Sequence, residues 1–409
     1  MRPTKTILIS GGGIAGPALA YWLRAYGFTP VVVERAPQIR TGGQRIEMSG
    51  VGAEALHRMG LLERIRAQSG QPPEGVFYLG RADRRVDMPS WSPPSETRYE
   101  RAPFAVKRGV LGTVLYENAR DGVEYVFDDS ITEIRQSDDG VDVSFENSPP
   151  RRVDLVVGAD GLYSNVRSQV FGPADRFTRF LGTNLVIFTV DNYLGHRDSM
   201  SWHMWPYRGC AITTFPGNTE LEGLFLFRST TPLNVRDLTV DQRMRLVDKI
   251  YADAGWEVPG LLRAMRDSRD FVFTPSTQIR MDSWTRGRVA LVGDSGYCPD
   301  PMSGQGSTLA LVGAYILAAE LKAAEGDHTR ALPAYDAAMR RFVAFSQGVA
   351  DFSTAFAAPR TGRWGVWARE QQLRAFFAVA HRARRMNLSL PAAWDYGGSL
   401  SLEDYRPAA

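Results

Sequence analysis

Residues 6–34 read TILISGGGIAGPALAYWLRAYGFTPVVVE, and the fold is decided here. A short apolar run (6–10) leads into Gly11-Gly12-Gly13-Ile14-Ala15-Gly16. Residues with helical periodicity follow, and then a second apolar run at 31–33. The order strand, glycine turn, helix, strand opens a doubly wound α/β sheet. In the GxGxxG spacing, Gly11 makes the tight turn, Gly13 lets backbone approach a pyrophosphate, and Gly16 lets helix and strand pack closely. Ile14 and Ala15 lead into a helix N-terminus that offers N–H groups and the positive end of a dipole to phosphate. A lone GxGxxG is a weak signal; one that follows a strand and opens a helix is stronger. Glu34 ends the second strand, about 20 residues on, where a carboxylate accepts from ribose hydroxyls. Its neighbour Arg35 can instead meet a 2′-phosphate, so this motif alone does not separate FAD from NAD(P).

Two more motifs have the same form. Residues 154–159 are a mostly apolar strand that runs into Gly158-Ala159-Asp160-Gly161, with Ser164 and Arg167 beyond. Residues 288–292 are a buried strand that ends in Gly293-Asp294, and Gly304, Gln305 and Gly306 open a long apolar helix to about residue 324. Asp294, at a strand's carboxyl end, can accept from a ribitol or ribose hydroxyl, and the helix beginning near Gly306 can meet partial negative charge.

The remaining chain organises around these three points. Residues 51–68 and 110–119 read as amphipathic helices, 71–103 as an irregular excursion, and 123–145 as antiparallel strands with a turn at Asp138-Asp139-Gly140. Strand-like runs at 183–190, 201–205, 210–215 and 224–227, with a helical piece at 240–254, suggest a separate sheet-rich lobe. Residues 329–385 are helical and arginine-rich, and 360–385 is expected to pack across the two lobes. The division that follows is 1–72, 100–175 and 275–328 for a discontinuous cofactor domain, 73–99 and 176–274 for a substrate domain, and 329–409 for a C-terminal helical segment. In the substrate domain, His203 and Trp205 share one strand face, with Trp202 and Met204 on the other; the His203 face is the candidate aromatic pocket wall.

Composition excludes several functions. Lys+Arg at 48 against Asp+Glu at 45 leaves +3, too little for a nucleic-acid or anionic-membrane partner. The two cysteines, Cys210 and Cys298, form no metal-binding cluster and suit a reducing compartment. The apolar run 309–321 is short for a bilayer span, and the N-terminus runs directly into a strand. These readings predict a cytoplasmic monomer or homodimer with no metal, no nucleic acid and no membrane insertion.

With GxGxxG, DG and GD in this order, the sequence resembles the class A flavoprotein monooxygenases, the group of p-hydroxybenzoate hydroxylase and the tetracycline-inactivating monooxygenases. The resemblance spans about residues 6–324 and is thin in the middle lobe. It implies a Rossmann-like FAD-binding domain of the p-hydroxybenzoate hydroxylase fold with an inserted sheet-rich substrate domain. It implies that Gly11, Gly13 and Gly16 meet the FAD pyrophosphate and Glu34 the adenosine ribose. By the same likeness Arg45 lies near the flavin, Arg108 contacts the FAD chain, and Asp160 stands near FAD and the nicotinamide site. Asp294 would hold the ribitol, and Pro301 with Gly304 to Gly306 would pass the isoalloxazine ring. Three positions depart from the family pattern: Tyr297 replaces a common His, Thr308 a common Asn and Gly313 a common Asp, which raises the question of flavin tuning.

The implied activity is insertion of one oxygen atom from dioxygen into a small aromatic or enolic molecule, through a flavin hydroperoxide, with NADPH or NADH as electron donor. A polycyclic or polyketide-like natural product is one substrate class the resemblance suggests. The protein supplies position and field while the cofactor carries the chemistry, so no catalytic side chain is assigned. The alternatives are a FAD-dependent reductase that does not use dioxygen and a non-catalytic flavin-binding paralogue. A flavin-dependent halogenase fits less well, because the WHMWP stretch at 202–206 has the wrong spacing.

Overall fold

The strand Thr6–Ser10 lies near the middle of a six-stranded sheet in the order Thr285–Arg286, Val289–Leu291, Leu155–Gly158, Thr6–Ser10, Thr29–Glu34, Glu124–Phe127. The computed structural model describes residues 5–70, 74–79, 84–87, 104–268, 270–385 and 402. All neighbours in the sheet are parallel except the edge pair Thr285–Arg286 and Val289–Leu291. Parallel sheets are covered on both faces, so their strands are apolar at successive positions; Ile7, Leu8 and Ile9 are all fully buried. The helix Ala15–Ala25 packs against Arg108–Ala119 and against Gly306–Ala323. The latter is long and apolar enough to cross a membrane by length and composition, but it is a core helix buried nearly all round.

The second lobe is a seven-stranded sheet in the order Val272–Ile279, Thr178–Asp191, Glu220–Arg228, Arg208–Thr214, Ser199–Trp205, Glu74–Leu79, Arg84–Asp87. One face carries Val186, Phe188, Phe225 and Phe227 under the helices Val240–Tyr251 and Val258–Met265. The opposite face presents Leu185, Leu224, Leu226 and Trp202 to Met302, Ala357 and Ala358. The helix Arg363–Arg385 docks on this lobe through Leu373, beside Phe77 and Met204; the side chains of Phe376 and Phe377 lie outside the described residues.

Three sequence expectations need correcting. Residues 51–68 are two helices, Gly50–Arg58 and Leu62–Arg66, because Gly60 adopts φ +72° and ends the first. The run from 123 begins with a parallel strand of the first sheet, Glu124–Phe127, and the antiparallel hairpin starts only at Ile131–Ser137. The excursion 71–103 supplies two strands to the second sheet, one of them parallel to Ser199–Trp205; residues 88–103 lie outside the described residues.

Candidate functional site

The three motifs meet at the carboxyl edge of the parallel sheet, where open α/β sheets bind their ligands. Gly11 turns at φ +114° directly onto the second motif; a Cβ there would stand 2.4 Å from the Ala159 carbonyl oxygen. Gly16 sits against Gly11 itself, 1.9 Å from its carbonyl oxygen to an added Cβ. Gly13 faces open space, with nothing within 4 Å of an added Cβ. The helix Ala15–Ala25 then starts with Ile14 as N-cap, no side-chain cap and no acidic residue in its first turn. Its first N–H groups and positive end are left for an external anion, the arrangement that holds a pyrophosphate.

Glu34 braces this loop. One carboxylate oxygen accepts from Gly12 N–H at 2.6 Å and the other from Ala36 N–H at 2.9 Å. Each oxygen keeps lone-pair capacity for a further donor. Arg35 is exposed beside it.

Asp160 does local work that its motif did not advertise. One carboxylate oxygen accepts from the N–H groups of Asn165 (2.8 Å) and Val166 (3.1 Å), and Ser164 caps the same short helix by accepting from Arg167 N–H. The other Asp160 oxygen is buried without a partner among the described residues. Burial raises this carboxyl above its ordinary range, against those hydrogen bonds. Arg167 is 1% exposed and donates to the carbonyls of Leu162 (2.8 Å) and Ser295 (2.7 Å), which ties the second motif to the third.

Gly293, at φ +70°, lies between Ala15 and Ala310, so the helices of the first and third motifs meet over it. Asp294 stands next to Gly306, 3.7 Å from an added Cβ to its Oδ1. Burial raises its carboxyl, and the charge of Arg108 opposes that rise. Arg108 opens its helix, donates its backbone N–H to Gln44 and is wrapped by Gly43. Arg45 follows in the same loop. Its side chain is 7% exposed and bonded to Glu47, with Nε buried and unpartnered among the described residues.

The 299–306 loop holds a residue that motif reading passed over. Asp300 adopts φ +83°, strained for a non-glycine residue. Its carboxylate accepts from Thr277 N–H (2.8 Å) and Met302 N–H (2.9 Å), which pins the loop to the strand Val272–Ile279. Burial pushes its carboxyl up to about 7. The available signal was Asp between two prolines, a turn-forming sequence. Pro301 and Gly304 are exposed on this loop, and Gln305 and Gly306 lead into the helix Gly306–Ala323, which also lacks a side-chain cap.

The pocket assignment must be turned over. His203 and Trp205 do share a face, stacked at 4.1 Å between ring centroids, but His203 also packs on Trp256, and Trp205 joins the core under the two helices. Trp202, on the opposite face, packs in one cluster with Leu224 and Met302 and so faces the 299–306 loop. Strand alternation puts Glu222 on that face, two residues from Leu224. Glu222 accepts from Arg45 N–H at 2.8 Å. Burial pushes it up from 4.5 to about 7, partly offset by Arg45. The sequence marks Glu222 only as an acid within a strand; its position against the other lobe is set by the fold.

Among the described residues no cluster of His, Cys, Asp or Glu is arranged to hold a metal ion. The FAD binding domain family matches residues 4–347. A flavin-dependent monooxygenase of Legionella longbeachae is 37% identical over 381 residues, covering 91% of each chain. The crystal structure of tetracycline destructase Tet(55) superposes with a TM-score of 0.77 at 32% identity, covering 92% of this chain and 97% of that one. The structure of Klebsiella pneumoniae HpxO with FAD and uric acid superposes with a TM-score of 0.74 at 20% identity, covering 94% and 95%, a likeness of fold.

Proposed function

This chain belongs to the FAD binding domain family and is a FAD-dependent monooxygenase, and we propose that it places one oxygen atom from dioxygen onto a small aromatic or enolic molecule, with NADPH or NADH as electron donor. The observation that carries the reading is the uncapped start of the helix Ala15–Ala25, set behind three glycines at the sheet's carboxyl edge. These residues fit FAD: Gly11, Gly13, Ile14, Ala15 and Gly16 would receive its pyrophosphate, and Glu34 its adenosine ribose. Asp294, beside Gly306, and Arg108, whose charge acts on it, would extend the site toward the 299–306 loop. When bound, FAD supplies the acceptor for hydride and the centre that activates dioxygen.

The chain's own part is position and charge. The start of the helix Gly306–Ala323, which has no side-chain cap and no acidic residue in its first turn, directs positive potential outward and would favour negative charge on a group bound there. Asp300 holds the loop in its strained turn so that Pro301, Gly304, Gln305 and Gly306 keep one geometry. The sheet face with Trp202 and Leu224, set against Met302 of the loop, gives an apolar seat for a flat substrate. On that face Glu222 accepts the proton of a phenol or enol, which pushes charge onto the carbon that is attacked. Tet(55) is named as a tetracycline destructase, and a polycyclic or polyketide-like substrate suits the proposed apolar seat.

The test is turnover of the FAD-loaded protein with NADPH or NADH and isotopically heavy dioxygen, across a panel of phenols and enols. One heavy oxygen atom in the product is the expected result. Substrate reduction without dioxygen consumption would replace this reading with a reductase of the same fold, and a protein that retains no FAD would refute it.

Glu222 also predicts pH behaviour. Activity should rise through about pH 7 as this carboxyl ionises. Glu222→Gln should lose roughly 10²-fold in kcat and flatten that limb. The stability effect has the opposite sign. Because the folded carboxyl sits near 7 against 4.5 ordinarily, the folded protein holds the extra proton in that window, and stability falls as pH rises through it. Melting curves of Glu222→Gln between pH 4.5 and 7 should lack that contribution; identical slopes in both proteins would remove Glu222 from this role.

A further inference from the structure

A cavity of ≈ 470 Å³ opens where the strand Thr178–Asp191 meets the C-terminal end of the helix His328–Ala357. Its walls carry Arg179, Arg228 and Arg360 against a single carboxylate, Asp351. That carboxylate is already divided between Arg179 at 2.9 Å and Arg280 at 3.2 Å. Among the described residues no carboxylate pairs with Arg228 or Arg360.

The two arginines are set in place by the backbone. Arg228 donates through Nε to the Ala358 carbonyl and through Nη2 to the Thr354 carbonyl at 3.4 Å, so the negative end of the helix dipole fixes its guanidinium. Arg360 reaches the same spot because residue 182 is glycine. A Cβ there would lie 2.9 Å from Arg360 Nη2 and 3.4 Å from Arg228 Nη1. Gly182 has φ +80° and sits at the register break between Phe180 and Asn184, so a bulge in the strand makes room for the pair. Burial and the charge of Arg360 pull Arg228 down to about 10, the mark of like charges held together. Thr354, 2% exposed on the same wall, has a hydroxyl oxygen without a partner among the described residues.

We propose that this basin is a phosphate-binding site, in which Arg228, Arg360 and the Thr354 hydroxyl receive a phosphate dianion. The three lining arginines face one aspartate that is also shared with Arg280, so the basin carries an excess of at least two positive charges, which an anion such as phosphate offsets and a neutral ligand does not. Planar guanidinium forks match phosphate oxygens in pairs. The chemistry is shared by the phosphates of a nicotinamide dinucleotide and by free phosphate, and it stands apart from the choice of oxygenated substrate. Arg179 links the basin to the candidate site, since it donates to Gln278 at 3.0 Å and Gln278 donates to the Pro299 carbonyl at 3.3 Å.

The test is calorimetric titration of the FAD-loaded protein with NADP⁺ and, separately, with inorganic phosphate, at constant ionic strength. At least one probe is expected to bind, and Arg360→Gln should weaken it ten-fold or more. Arg341→Gln, which removes the same charge from an exposed position, should leave the affinity unchanged. Arg360-dependent binding of NADP⁺ identifies the electron donor as the source of the phosphate, and Arg360-dependent binding of phosphate alone identifies a free anion. Failure of both probes to bind, or affinities that Arg360→Gln leaves unaltered, would overturn the proposal.

Discussion

Gly16→Ala is expected to yield a protein that retains no FAD and melts several degrees below the parent. The added Cβ would stand 1.9 Å from the Gly11 carbonyl oxygen and 3.1 Å from its carbon, both backbone atoms. Neither can swing aside as a side chain would, so the helix must slide away from the loop. Overpacking of this kind costs about 1–3 kcal/mol, and here the shift also carries the helix N-terminus off its ligand. Gly13→Ala is the matching control. Its Cβ meets nothing within 4 Å, and φ at this position is ordinary, so the fold should survive. Loss of FAD affinity without loss of thermal stability in Gly13→Ala, beside loss of both in Gly16→Ala, would separate the ligand-facing glycine from the packing one. Equal melting temperatures for Gly16→Ala and parent would contradict the close approach described above.

The second large effect lies in the core beneath the third motif. In Gly313→Ala the new Cβ would fall 2.0 Å from the Tyr297 hydroxyl oxygen. Tyr297 is fully buried, edge-on to Trp284 at 4.8 Å, with its hydroxyl 2.9 Å from that of Tyr335. Tyr335 spends its proton on the Leu291 carbonyl at 2.8 Å, so Tyr297 must be the donor between the two. The ring has nowhere to go, and Gly313→Ala should destabilise by about 3 kcal/mol. Tyr297→Phe loses one hydrogen bond, about 1 kcal/mol. It leaves the nearest ring carbon 3.3 Å from the Cβ of an alanine at 313, which a small shift accommodates. The double variant should therefore be more stable than Gly313→Ala alone, with a coupling of about 1–3 kcal/mol in denaturant unfolding. Additive losses would mean that the two positions do not meet.

This pair shows what the sequence could and could not convey. Tyr297 and Gly313 departed from the family pattern as two separate oddities, 16 residues apart, and raised a question about the cofactor. In the fold they are one change: a tyrosine hydroxyl fills the space that a side chain at 313 would take, within the core. Thr308, the third departure, turns its hydroxyl to the Met48 sulfur at 3.7 Å, a contact 260 residues away. Local pattern carries period, turns and glycine geometry, so the strand–turn–helix openings were legible at all three motifs. It carries alternation along a strand as well, which is why His203 and Trp205 were correctly given one face. Which face meets the other lobe depends on where the helices Val240–Tyr251 and Val258–Met265 lie, and no spacing within residues 199–205 records that. Glu222 and Asp300 were missed for the same reason. Each is one acid among many until burial and a partner across the lobes mark it out.

The bond between Arg167 and the Ser295 carbonyl spans 128 residues of chain, and it sets a timetable for synthesis. A ribosome adding roughly 5–20 residues per second needs on the order of 6–26 seconds to supply the second carbonyl after the arginine has been made. Through nearly all of that interval the parallel sheet also lacks Val289–Leu291, and the core lacks the helix Gly306–Ala323. The strands of the second lobe, the last ending at Ile279, are all made before then. The nascent chain thus finishes the strands of its second sheet before the first sheet can close, so that the half synthesised first is the half that waits.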